Sequence, residues 1–225
     1  MACAAASAAD APLWLRAPAL SPDGATIAFT YRGDIYTVPA AGGRAHQLTS
    51  DPAVDAAPVW SPDGTRIAFR SNRHGGNDIF TVAADGGTPQ RITTHSAGES
   101  PLTWLNDSTI VFSADIQPST SDLNGAFFGQ TWAVVARPGA RPRRLMSLQV
   151  NSASAAPDGR LLFENHKSYE NLFRKHEQSA GTSDIYMYAD GRYTPLVTGA
   201  TAMRCPVWLG ADSFAWLTED GGTLN

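Results

Sequence analysis

Ser21-Pro22-Asp23-Gly24 returns forty residues later as Ser61-Pro62-Asp63-Gly64, and each copy is followed by the same series of segments. Behind the first lie Ile27-Ala28-Phe29, Gly33-Asp34-Ile35-Tyr36, Gly42-Gly43 and Gln47-Leu48-Thr49. Behind the second lie Ile67-Ala68-Phe69, Asn77-Asp78-Ile79-Phe80, Gly86-Gly87 and Arg91-Ile92-Thr93. A period of about forty residues belongs to solenoids and propellers, whose repeats bury their apolar faces only against one another.

Three further copies are eroded. The third passes through Trp104, Asn106-Asp107-Ser108, Ile110-Val111-Phe112 and Trp132-Ala133-Val134, with Asn106-Asp107-Ser108 in place of Pro-Asp-Gly. The fourth passes through Pro157-Asp158-Gly159, Leu161-Leu162-Phe163, Ser183-Asp184-Ile185-Tyr186 and Pro195-Leu196-Val197-Thr198. A fifth opens with Pro206-Val207-Trp208, which matches Pro58-Val59-Trp60, and reaches Phe214-Ala215-Trp216-Leu217.

The second repeat shows how one unit folds. Pro58-Val59-Trp60 is a short apolar run ending in a turn, where proline presets φ, Asp63 bonds the local backbone and Gly64 takes positive φ. Arg66 to Ser71 alternates as a strand, with Ile67 and Phe69 on one face and Ala68 and Arg70 on the other. Asp78 to Val82 is a third strand, Asp85-Gly86-Gly87 a hairpin turn and Gln90 to Thr93 a fourth strand. Four antiparallel strands in about forty residues make one propeller blade. The fold class is therefore all-β, an incomplete β-propeller of about four and a half blades, of a probable six. It occupies residues 12–225 as one domain.

The net charge of −4 argues against a nucleic-acid partner, and no apolar run approaches the length of a membrane-spanning helix. Cys3 and Cys205 are too few for a disulfide framework. Residues 1–11 are almost all alanine, with small residues spaced as Ala6-Ser7-Ala8 and Ala9-Asp10-Ala11. They read either as the remnant of a secretory signal around its cleavage region or as a disordered tail. The first reading predicts a periplasmic or secreted protein.

No catalytic constellation is legible. There is no Gly-x-Ser-x-Gly elbow, no phosphate-binding glycine loop and no Cys-x-x-Cys. His176-Glu177-Gln178-Ser179-Ala180 starts like a zinc-protease helix, but Ala180 stands where the second histidine must be, and one ligand does not hold zinc. His46, His74, His95 and His166 have no ligand spacing, so no metal or cofactor is expected. Asp23, Asp63 and Asp158 occupy equivalent turns, and Asp34, Asp78 and Asp184 each head a third strand, where bonding the backbone suffices. Arg137, Arg141, Arg143 and Arg144 flank a hairpin tip and read as a solvated turn in preference to an anion site. Trp60, Trp104 and Trp208 read as core.

The departures from the repeat carry the functional reading. The link from second to third strand is a few residues long in the first two blades. It swells to about Ala114–Gln130 in the third and about Asn165–Thr182 in the fourth. Insertions at one point of adjacent blades emerge on one face of a propeller. They hold Phe127 and Phe128, then Lys167, Tyr169, Phe173, Arg174, Lys175 and His176. Aromatics interleaved with cations on long loops suit peptide docking, and Arg174, Lys175, His176, Tyr169 and Phe128 are the candidate peptide-binding residues. The competing reading is a pair of loops that pack only on their neighbours.

The Ser-Pro-Asp-Gly, Ile-Ala-Phe, Asp-Ile-Tyr, Gly-Gly and Leu-Thr series resembles the repeat of the Tol-system propeller TolB and of tricorn-type serine proteases, in the C-terminal-processing peptidase superfamily. Trp14-Leu15-Arg16-Ala17-Pro18-Ala19-Leu20 resembles the start of exported tricorn-like peptidases. Lys167-Ser168-Tyr169-Glu170-Asn171, followed by Arg174-Lys175-His176, is similar to the insert such proteases carry in an early blade. The resemblance implies a non-catalytic propeller that guides or filters peptide or unfolded-protein substrates. It also implies a scaffolding role for downstream PDZ and protease domains of the same protein, with homo-oligomerisation left open. The alternative is a periplasmic TolB-like propeller that binds a protein partner, and a third reading is the propeller of a prolyl-oligopeptidase-type enzyme.

Overall fold

The computed structural model describes residues 14–116, 129–166, 183–199 and 201–219. Every element among them is a strand, and the sheets follow the repeat. Blade 1 comprises β1 (Arg16–Leu20), β2 (Thr26–Tyr31), β3 (Asp34–Pro39) and β4 (His46–Gln47). Blade 2 comprises β5 (Asp55–Trp60), β6 (Arg66–His74), β7 (Gly76–Ala83) and β8 (Gln90–Arg91). Blade 3 comprises β9 (Glu99–Asn106), β10 (Thr109–Ala114), β11 (Gln130–Val135) and β12 (Arg143–Met146). Blade 4 comprises β13 (Ala153–Ala155), β14 (Leu161–His166), β15 (Ser183–Ala189) and β16 (Arg192–Val197), and blade 5 is the hairpin of β17 (Met203–Trp208) and β18 (Phe214–Thr218). Each is an antiparallel meander in chain order.

The first strands of successive blades pack on one another, β1 on β5, β5 on β9, β9 on β13 and β13 on β17, so they form the inner layer of the array. The sheets do not close into a ring. The second and third strands of blade 2 are longer than the alternation suggests. They meet at a turn where Gly75 takes φ of 100°, a conformation cheap only for glycine. The fourth strand is shorter, because the chain leaves the sheet after Arg91 to reach the next blade.

The period-2 alternation has a simple outcome: each core layer lies between two blades. Ile67, Phe69, Phe80 and Val82 pack against Ala28, Ile35 and Leu48 of blade 1. Ala68 and Ile79 point the other way, into Trp104, Ile110, Phe112 and Trp132 of blade 3. Val111 then faces Leu161 and Phe163 of blade 4, while Leu162 and Ile185 face Met203 of blade 5. A strand covered on both faces must be apolar at consecutive positions, as Ile-Ala-Phe is. Burying each large side chain contributes about 1.5–3 kcal/mol, so a blade is held chiefly by its neighbours.

The Pro-Asp-Gly turns fold as their residue types require. The Gly64 amide donates to Ser61 O at 2.9 Å with Gly64 at φ of 69°. Asp63 accepts from the Ser61 hydroxyl at 2.6 Å and from the Thr65 amide at 3.0 Å, and Asp23 repeats this with Ser21 and Ala25. Those bonds hold both carboxyls below the ordinary aspartate range. Three of the five inner strands share an irregularity the sequence reading did not anticipate. Ala17, Ala57 and Cys205, each followed by proline, take φ of 48°, 56° and 50° at a register shift. Proline has no amide for the ladder, and a bulge accommodates that loss.

Candidate functional site

Inner strands β5 and β9 begin at the edge where the second strand ends and the third begins: Asp55 pairs with Ser71 and Ser71 with Asp78, while Ala114 pairs with both Glu99 and Gln130. The links from β10 to β11 and from β14 to β15 leave from this edge. Both lengthened segments therefore depart from one face of the array, beside the heads of the inner strands. Arg174, Lys175, His176, Tyr169 and Phe128, with Phe127, lie outside the described residues.

The described part of this face is rich in buried carboxylates. Asp55 is fully buried and is held by Arg73, whose guanidinium lies 2.8 and 2.9 Å from its two oxygens, within reach of Asp51 at 3.7 Å. Arg73 also stacks over Phe80 at 4.6 Å and donates to Ser71 Oγ at 2.9 Å. In the next layer Asp78 pairs with Arg91 at 2.8 Å. The Thr93 hydroxyl accepts the Ile79 amide at 2.8 Å and donates to the Glu99 carboxylate. Burial pushes the Asp78 carboxyl up against the pull of Arg91. Burial, with the Asp78 charge adding to it, raises Glu99 to about 7 despite the Thr93 bond. Further round, Glu164 accepts the Cys205 amide at 3.0 Å, the Ser183 hydroxyl donates to Met203 O at 2.6 Å, and Asp184 accepts the Gly199 amide at 3.3 Å.

Most of these groups tie one strand or blade to another, so their first role is architectural. Asp78 departs from the expected backbone-bonding role, because its partner is the Arg91 guanidinium. Among the described residues no group of histidine, cysteine and acidic side chains has metal-holding geometry. These carboxylates are buried and held by partners within the fold, so on this face they frame the points where the inserts depart. The residues that sequence reasoning passed over are Asp55, Glu99 and Arg73. Their signal was present, since Asp55 and Glu99 each stand five residues before a repeat tryptophan, Trp60 and Trp104.

Comparison with known proteins agrees with this architecture. A TolB structure from Agrobacterium tumefaciens superimposes with a TM-score of 0.72 at 18% identity, covering 92% of this chain and 71% of that one. The crystal structure of the tricorn protease gives a TM-score of 0.71 at 21% identity, covering 94% of this chain and 21% of that one. At such identities the likeness is one of fold. In sequence, 65 residues are 42% identical to Tricorn protease homolog 1 of Streptomyces coelicolor, which is 29% of this chain and 6% of that protein. The family model described as the tricorn protease N-terminal beta propeller domain matches residues 12–225. The chain belongs to that family of propeller domains.

Proposed function

We propose that this propeller handles peptide substrates for a serine-peptidase core of tricorn type, guiding or filtering them and scaffolding downstream PDZ and protease domains. The observation that carries the reading is the shared face. The two links lengthened in sequence leave the array side by side, next to the heads of the inner strands. In this reading Arg174 and Lys175 pair with carboxylates of the peptide, His176 adds a polar contact, and Tyr169 and Phe128 supply apolar area. The second reading is a periplasmic TolB-like propeller that contacts a protein partner. We further propose export to the periplasm or beyond, supported by the small-residue pattern around Ala6-Ser7-Ala8.

The test is binding of an unstructured, arginine-free peptide to the purified chain. Charge-assisted contacts contribute about 1.5–3 kcal/mol each. Arg174→Ala with Lys175→Ala should therefore weaken binding about tenfold or more and leave the melting temperature nearly unchanged. Binding equal to the parent's, or unfolding without selective loss, removes the docking role.

A further inference from the structure

Two blade interfaces share a device that a third has only in part. Between blades 2 and 3 the Arg66 guanidinium lies 4.9 Å from the centre of the Trp104 ring and donates to the carbonyl of Asp107. Between blades 4 and 5 Arg160 lies 4.9 Å over Trp208 and donates to the carbonyl of Ala211, three residues past the tryptophan as Asp107 is. Arg160 also meets the turn carboxylate Asp158 at 2.7 Å. An arginine at the first residue of a second strand, or immediately before it, thus fills the gap beneath the next blade's tryptophan.

Between blades 1 and 2 the tryptophan is present as Trp60, but the arginine is replaced by Thr26. The equivalence is structural: the Thr26 amide donates to Ser21 Oγ and the Arg66 amide to Ser61 Oγ, both at 2.9 Å. Threonine is too short to reach the ring. At that interface lies an open cleft of about 860 Å³, lined by Thr26, Trp60, Asp23, Asp63 and Asp85. Between blades 3 and 4 both partners are missing, with Thr109 and Ala155 in their places.

We propose that this cleft binds the guanidinium group of an arginine side chain presented by another polypeptide segment. The incoming group takes the place that Arg66 and Arg160 hold in the other interfaces. It stacks on Trp60, donates to the carbonyl of Asp63, which stands three residues past the tryptophan, and pairs with Asp23, the counterpart of Asp158. A planar cation over an indole is the strongest pairing of its kind, and the fork of donors matches a carbonyl beside a carboxylate. Arg44 and His46 also line the cleft, on the outer side of blade 1. Arg44 opposes a cation there, against the three carboxylates Asp23, Asp63 and Asp85. The site lies with the Ser-Pro-Asp-Gly turns, at the opposite ends of the strands from the inserts, and the inference does not rest on peptide handling by the insert face.

The probe is N-acetyl-arginine amide, titrated into the 225-residue chain while the indole N–H resonances are followed by NMR. Its neutral counterpart of the same shape, N-acetyl-citrulline amide, is titrated alongside. The expected result is a saturable shift of the Trp60 resonance, with citrulline binding about tenfold more weakly or worse. Thr26→Arg should abolish the shift by supplying the missing guanidinium internally, while Thr109→Arg leaves it intact. Should Thr26→Arg fail to fold, Asp23→Asn decides, with an expected loss of about threefold or more. Equal binding of the two probes, shifts that bypass Trp60, or unchanged binding in Thr26→Arg or Asp23→Asn overturns the proposal.

Discussion

The indole N–H of Trp104 donates to the carbonyl of Val59 at 3.1 Å, from the inner strand of one blade to that of the blade before it. Trp60 does the same to Ala19 at 3.0 Å. Trp104 thus buries its ring in the layer between two blades, Trp60 stays partly open to the cleft, and the polar edge of each fixes the offset of their inner strands.

Trp104→Phe keeps an aromatic ring but loses this bond and part of the fill. A net loss of about 1–3 kcal/mol is expected, and Trp104→Ala should lose about 3–5 kcal/mol. Urea unfolding measures both. A phenylalanine variant as stable as the parent would mean that the indole bond contributes nothing.

Arg73 is the partner that makes a fully buried Asp55 tolerable. Arg73→Ala leaves that carboxylate uncompensated and should destabilise by roughly 3–5 kcal/mol. Adding Asp55→Asn to Arg73→Ala should recover part of the loss. A double variant no better than Arg73→Ala alone argues that Arg73 acts through its stacking on Phe80.

Glu99 gives the fold a pH dependence with a definite sign. Its folded carboxyl titrates at about 7 against an ordinary 4.5, so the folded state holds a proton that the unfolded chain releases first. The stability this contributes is complete below about pH 4.5 and is lost as pH rises through about 7. Glu99→Gln should match the parent in acid and exceed it in mild base. A parent and variant with parallel stability profiles from pH 4.5 to 8 would contradict this.

Ala57 sits at φ of 56°, where an L-residue with a Cβ is strained by about 1–2 kcal/mol. Glycine removes that strain at an entropic cost of roughly 0.5–1 kcal/mol. Ala57→Gly should therefore raise stability slightly, by up to about 1 kcal/mol, in thermal unfolding. A clear drop would show that the Ala57 methyl contributes more to packing than its backbone loses.

The blades were legible because both of their signals are local. Ile67-Ala68-Phe69 alternates at the strand period, and Pro62-Asp63-Gly64 permits little but a turn. The bulges at Ala17, Ala57 and Cys205 were not, since a residue before proline does not announce a left-handed backbone, and Ser100 before Pro101 in β9 does not adopt one. The buried carboxylate network was partly legible. Asp78 stood out as a strand head, but its pairing with Arg91 depends on the fourth strand folding back beside the third. The cleft at Trp60 was hidden for a different reason. It arises from what Thr26 lacks, and that shows only when the same interface is seen filled at Arg66.

Hydrogen exchange with and without a saturating unstructured, arginine-free peptide tests the peptide-handling account most directly. The account predicts slowed exchange in segments 115–129 and 167–182, with the Ser-Pro-Asp-Gly turns at 21–24 and 61–64 unchanged. Slowing confined to those turns, or none anywhere at a peptide concentration that saturates binding, would contradict it.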